Sequence, residues 1–147
     1  MRKLFFMLAL GLSVVACSDL HTSDNGMLDG FWQMTQVDTL ENGHSEDARH
    51  RMIFWAVQGR LLEMNDMHDL VHAYPSVIFR FEHKDGQLRV YEPVLDKREI
   101  SDSLISQVRL VSFYGVYSLD ETFRLLRLEP TQMTVENEKL RMHFRKY

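Results

Sequence analysis

The chain has 147 residues, of which 45% are hydrophobic and 26% charged, and its formal net charge is −4. That length suits one domain with a real core, and an acidic balance without a basic stripe excludes a nucleic-acid-binding footprint. A single cysteine, Cys17, excludes an intrachain disulfide, so the core alone must hold the domain together.

Arg2 and Lys3 make a positive start, and residues 4–16 follow as an apolar run of thirteen. A bilayer span needs about 20 such residues, so the run reads as the core of a secretory signal peptide. It ends in Val14-Val15-Ala16-Cys17, which resembles a lipobox. The implied chemistry is cleavage after Ala16 and attachment of a diacylglyceryl group to the Cys17 sulfur, with acyl chains such as palmitate as the anchor. Each buried CH₂ contributes about 0.8 kcal/mol, and two or more chains give stable anchoring. A secreted protein with a chance cysteine is the competing reading. Against it, Cys17 is the only cysteine in the chain and stands where lipidation needs it. The expected organisation is a signal peptide over 1–16, a lipidated tether over 17–27 and a folded domain over 28–147. Ser18 after the cysteine is compatible with onward transport to the outer membrane. Cleavage would leave 131 residues with a net charge near −6, because Arg2 and Lys3 are removed.

The domain is punctuated as short strands. Residues 30–37 alternate, placing Phe31, Gln33, Thr35 and Val37 on one face and Trp32, Met34 and Gln36 on the other. Residues 51–58 are rich in aromatic and branched side chains, Gly59 breaks them, and 60–64 resume. Residues 77–83 and 87–91 flank Asp85-Gly86, the strongest hairpin signal in the chain. Between 101 and 115 the period changes: Leu104, Val108 and Val111 fit a helical face that Gly115 would end. Ser118 and Glu121 have capping-box spacing, which predicts a single helical turn. Closing strands follow at 123–128, 132–135 and 140–144, the last with Leu140, Met142 and Phe144 opposite Arg141, His143 and Arg145. About eight strands at near-regular spacing, with one short helical insertion, predict an all-β antiparallel sandwich or barrel.

Two ends of the chain carry a family resemblance. Gly30-Phe31-Trp32, preceded by Leu28-Asp29, is a Gly-x-Trp on the first strand, and residues 140–147 supply a last strand with arginines able to cover that tryptophan. Together with residues 53–62 and Glu121-Thr122-Phe123, the domain resembles the small lipocalin-like lipoproteins of anaerobic gut bacteria over residues 29–147. The resemblance implies an up-and-down barrel of about eight strands, closed by Trp32 beneath Arg145 or Arg141 as a cation–π pair. The late helix of typical lipocalins has no counterpart between Thr131 and Tyr147.

Trp55, Phe54, Phe79 and Phe81 are the candidate ligand-contacting residues, although for Trp55 plain core filling is the stronger reading because small barrels are usually filled by side chains. His68 and His72 stand four apart, a spacing that on a helix presents two metal ligands. They lack the Glu of a zinc-protease motif and a cysteine to complete a site, so they read as solvated loop histidines, and no metal or cofactor is expected. His83 and His143 read as surface residues. A nucleophile elbow and a phosphate-cradling glycine loop are both missing, and a carboxylate pair such as Asp96 and Glu99 can be drawn in any chain with 21 acidic residues. The expectation is a non-enzymatic, lipid-anchored barrel that binds a small apolar or amphipathic molecule. The alternative is an envelope-assembly protein with a filled barrel that acts through protein contacts.

Overall fold

Strand pairing in the computed structural model runs in a ring. Residues 24–68, 74–96 and 103–147 are described; Cys17 and the lipobox, His72 and Glu99 lie outside them. The strands are β1 (Gly30–Thr39), β2 (His44–Asp47), β3 (Ile53–Gln58), β4 (Leu61–Asp66) and β5 (Val77–Lys84). They continue as β6 (Gln87–Leu95), β7 (Ser103–Leu104), β8 (Asp120–Leu128), β9 (Gln132–Glu136) and β10 (Leu140–Lys146), with one helical turn, α1 (Arg109–Ser112). The order β10-β9-β8-β6-β5-β4-β3-β1 closes when β10 pairs with β1. Eight strands therefore form a closed antiparallel up-and-down barrel, while β2 lies beside β1 and β7 beside β6. Closure leaves none of the eight with a free edge.

The connections give the barrel two different ends. Tight turns after β3, β5 and β8 cluster at one end, where the 3₁₀ turn Gly26–Leu28 also sits. Longer segments, including α1, gather at the other. The Asp85-Gly86 turn joins β5 to β6 as its residues predict, both with positive φ. Buried side chains of every ring strand meet inside in one apolar cluster that includes Trp32, Trp55, Phe79, Leu88, Phe123, Met133 and Phe144.

Four sequence expectations are corrected. The two faces of β1 exchange partway, because the pairing with β10 slips between Met34 and Gln36. That bulge at Thr35 adds one residue, and since strand side chains alternate with period two, Val37 joins Trp32 and Met34 inside. The strand expected from residue 51 begins at Ile53. Arg49–Arg51 form a 3₁₀ turn that ends at Met52 in the left-handed region, φ 50°. The helix expected around 104–115 shrinks to α1. Leu104 belongs to β7 and is exposed, Val108 is partly exposed, and of the expected face only Val111 is buried. The Ser118–Glu121 spacing does produce a bond, Glu121 Oε2 accepting from the Ser118 N–H at 2.9 Å, but the chain passes directly into β8 without a helix.

The seam between first and last strands carries a chain of polar contacts outside the barrel. Asp38 Oδ2 lies 2.8 Å from His143 Nε2, and His143 Nδ1 lies 3.2 Å from Thr134 Oγ1. Asp38 Oδ1 also accepts from Ser45 Oγ and from Gln36 Nε2. Partial burial works to raise the Asp38 pKa. The hydrogen bonds from Ser45, His143 and Gln36, with the nearby charge of His143, outweigh it and bring the pKa from 3.8 to about 2. A carboxyl depressed in the folded state stabilises the fold above its unfolded pKa, and that contribution is lost as pH falls through the folded value. Between pH 4 and 2 the Asp38→Asn variant should therefore lose stability less steeply than wild type, measured by urea unfolding at stepped pH. Parallel curves would mean that the seam carboxylate does not couple to folding.

Candidate functional site

A barrel of this kind offers its lumen as a site, and the lumen has a floor, a middle and a cover. At the floor, Trp32 is fully buried and its Nε1–H donates to the Leu28 carbonyl at 2.8 Å. The cation over its ring is Lys146, with Nζ 4.6 Å from the centroid. Nζ also donates to the carbonyls of Met27 (3.0 Å) and Asp29 (2.7 Å), tying the last strand to the entering chain. Gly30 makes this possible: a Cβ there would stand 3.1 Å from Lys146 Cε, and its φ of 133° is one that L side chains rarely adopt.

The expected arginine closure is thus corrected. Lys146 is the cross-strand partner of Trp32, whereas Arg145 pairs with Gln33 and faces outward, its Nε donating to Gln33 Oε1 at 2.8 Å. Arg141 turns to Glu136, which it shares with Arg124. Burial tends to raise the Glu136 pKa, but the two guanidiniums prevail and lower it. Period-two alternation from Leu140, Met142 and Phe144 leads to Lys146, a signal in the sequence that points to the covering residue and that the arginine expectation passed over.

On the neighbouring β3, Trp55 is paired with Trp32 in the β1–β3 register and is fully buried. Its ring lies 4.7 Å from that of Phe144 and 5.6 Å from that of Phe123. Phe79 and Phe81 also point inward. Phe54 does not, because adjacent strand residues face opposite sides. It is buried on the outer surface, stacked on Phe31 at 4.6 Å and edge-on to Tyr147 at 5.5 Å. The Trp55 Nε1–H is buried and has no hydrogen-bond partner among the described residues.

Over the other end lies a cover formed by residues 105–117, which the sequence reading had not singled out. Ile105, Val111, Tyr114 and Val116 are buried in it. Tyr114 donates through its hydroxyl to the Pro75 carbonyl at 2.9 Å, and Phe113 stacks on Tyr74 at 3.9 Å. Burial, together with the charge of Asp66, pushes the Tyr114 phenol well above its ordinary pKa. Gly115 completes the turn at φ 82°, where a Cβ would meet Met142 Sδ at 2.5 Å, and its carbonyl accepts from the buried Asn137 Nδ2 at 2.9 Å.

The remaining candidates do not assemble. The backbone N–H of His68 donates to Asp66 Oδ1, and Asp96 donates from its backbone to the Ser76 carbonyl; their expected companions His72 and Glu99 lie outside the described residues. Among the described residues no three of His, Cys, Asp and Glu gather into a metal-binding group. Nor does any helix among them have the length and apolarity to cross a membrane.

A closed eight-stranded antiparallel barrel, sealed at one end by a tryptophan on its first strand, defines a lipocalin-like protein. The chain belongs to the lipocalin-like domain family, whose model matches residues 10–147. Two solved structures share the fold. One is a lipocalin-like protein from Bacteroides uniformis ATCC 8492, 19% identical, with a TM-score of 0.62 over 83% of this chain and 100% of that one. The other is an uncharacterized protein from Bacteroides eggerthii DSM 20697, 20% identical, with a TM-score of 0.61 over 81% and 98%. No curated protein matches the sequence. The barrel is a fold able to enclose a small ligand and is more typical of binding proteins than of enzymes.

The floor contact is testable. Trp32→Ala should cost about 3–5 kcal/mol, as other buried large-to-small changes do. Lys146→Ala should cost less, and the pair should be non-additive by about 0.5 kcal/mol or more in urea unfolding, because contacting residues couple. Arg145→Ala combined with Trp32→Ala should stay near additive. Coupling to Arg145 instead of Lys146 would overturn this assignment.

Proposed function

We propose that the protein is exported, cut before Cys17 and held by lipid on an envelope membrane, the outer membrane where the host has one. In this reading its barrel binds one small, mainly apolar molecule that carries a hydrogen-bond acceptor. The signal pattern, Val14-Val15-Ala16-Cys17 and the absence of any second cysteine support the anchor. Trp55 carries the ligand reading. Its N–H is a buried donor without a partner among the described residues, in otherwise apolar surroundings, and such a group costs about 1–3 kcal/mol while it stays unsatisfied. An acceptor on a bound molecule would satisfy it, and apolar walls from Leu62 to Val135 would supply the rest of the affinity.

A second reading is favoured by the ring contacts of the same residue. Trp55 with Phe144 and Phe123 already spans the lower lumen, so the barrel would be a rigid scaffold whose outer surface recognises a protein. In the ligand reading, the side chains above those contacts are packed together in the core, so room for the molecule opens only when the 105–117 cover moves.

Two measurements separate these readings. Native mass spectrometry of the protein purified from its own host should reveal a stoichiometric bound mass. Trp55→Phe should weaken its retention up to about tenfold, the equivalent of one net hydrogen bond. A bare protein whose stability is unchanged or raised by Trp55→Phe would favour the scaffold. For the anchor, Cys17→Ser should abolish incorporation of a labelled fatty acid, and persistent labelling would overturn lipidation at that residue.

A further inference from the structure

We propose that the floor end of the barrel docks on an anionic bilayer surface, so that the covered mouth points away from the membrane. This rests on the lipidation of Cys17 proposed above and adds an orientation and a contact surface to it. The first argument is reach. Six residues separate Cys17 from Asp24, and seven Cα steps span at most about 25 Å when fully extended. The chain then enters the domain at the floor, through Asn25 and the Gly26–Leu28 turn. The ten-residue β1 rises about 25 Å along the barrel axis once the usual tilt of barrel strands is allowed for, so the floor lies nearer the anchor than the mouth does.

The second argument is charge. Arg49 and Arg51 at the mouth end, Arg80, Arg89, Arg124 and Arg141 along the wall, and Arg127 beside the floor-end β8–β9 turn each sit in an ion pair with a carboxylate, while Arg109 and Lys139 at the mouth end have none among the described residues. At the floor end, Arg60 in the β3–β4 turn, Lys84 at the β5–β6 turn and the outward Arg145 have no carboxylate at ion-pair distance among the described residues. Lys146 bonds only carbonyls and the Trp32 ring. The acidic residues at this end are Asp85 beside Lys84, Asp29 in the entering chain, and Glu129, which is paired with Arg127. Unpaired cations with aliphatic stems are suited to phosphate headgroups, with the stems lying in the interface.

The third argument is what surrounds those cations. Met27, Leu61 and Tyr147 are about half or more exposed, and their segments are stitched together: Asn25 Nδ2 donates to the Gly59 carbonyl at 2.8 Å, and the Tyr147 N–H donates to the Phe31 carbonyl at 2.8 Å. At the same end an open cleft of about 610 Å³ is lined by Asp29, Phe31, Ala56, Val57 and Gln58. Exposed apolar and aromatic side chains among unpaired cations form the composition of an interfacial contact.

The test uses the full lipidated protein on vesicles. Because Cys17 would be blocked as a thioether, a single introduced cysteine is the only free thiol. Leu61→Cys reports on the floor and Glu138→Cys on the opposite end. On phosphatidylethanolamine vesicles containing phosphatidylglycerol, a water-soluble maleimide should label Leu61→Cys several-fold more slowly than it does in detergent, and Glu138→Cys at an unchanged rate. High salt, or Arg60→Gln with Lys84→Gln, should restore the floor rate, since screened or missing charge no longer holds the surface down. Equal floor rates on vesicles and in detergent, with the protein still floating with the vesicles, would overturn the docking and leave the anchor standing. Protection that persists in high salt or without phosphatidylglycerol would overturn the anionic partner. Failure to float would overturn the anchor and the orientation with it.

Discussion

Pairing of the first strand with the last is the constraint on which this molecule depends. An eight-stranded sheet left open between β1 and β10 would expose two hydrogen-bonding edges and an apolar inner face. Closing it aligns Trp32 with Lys146 and brings Asp38 to His143 across the same seam. The bulge at Thr35 lets the long β1 follow the curve and still return Val37 to the core, while Thr35 Oγ1 donates to the His143 carbonyl at 3.1 Å.

The floor and the cover reach the same end by different means. The floor uses regular geometry: a glycine without a Cβ, a tryptophan bonded to the chain beneath it, and a lysine held by two carbonyls. The cover uses an irregular segment pinned at a few points, through the Tyr114 hydroxyl, the Gly115 carbonyl and the Phe113–Tyr74 stack. Segments held by few bonds open at lower cost than strands in a ladder. In the ligand reading this asymmetry makes the cover the route to the lumen, and in the docking proposal it leaves the floor as the contact surface.

Aromatic residues divide between two sites that a linear reading merges. Trp55 and Phe54 are neighbours in sequence, yet one completes the lumen and the other an outer cluster with Phe31 and Tyr147. Fold likeness does not bridge that gap, because a shared barrel says nothing about which interior groups meet a ligand.

The all-β class, the Asp85-Gly86 hairpin and most strand positions were legible in the sequence, and the place of Gly30-Phe31-Trp32 at a barrel end was what the family resemblance implied. The first three depend on local steric rules or on period-two alternation, which short windows carry. Tertiary structure alone decided the rest. The slip at Thr35 that turned Val37 inward exists only because β1 must match the register of a strand a hundred residues away. That same register sets Lys146 opposite Trp32, on the inward side to which the alternation of the last strand already pointed. The collapse of the 104–115 segment to a single turn reflects burial of Val111 and Tyr114 against the barrel mouth, where packing outweighs the short-range periodicity that suggested a helix.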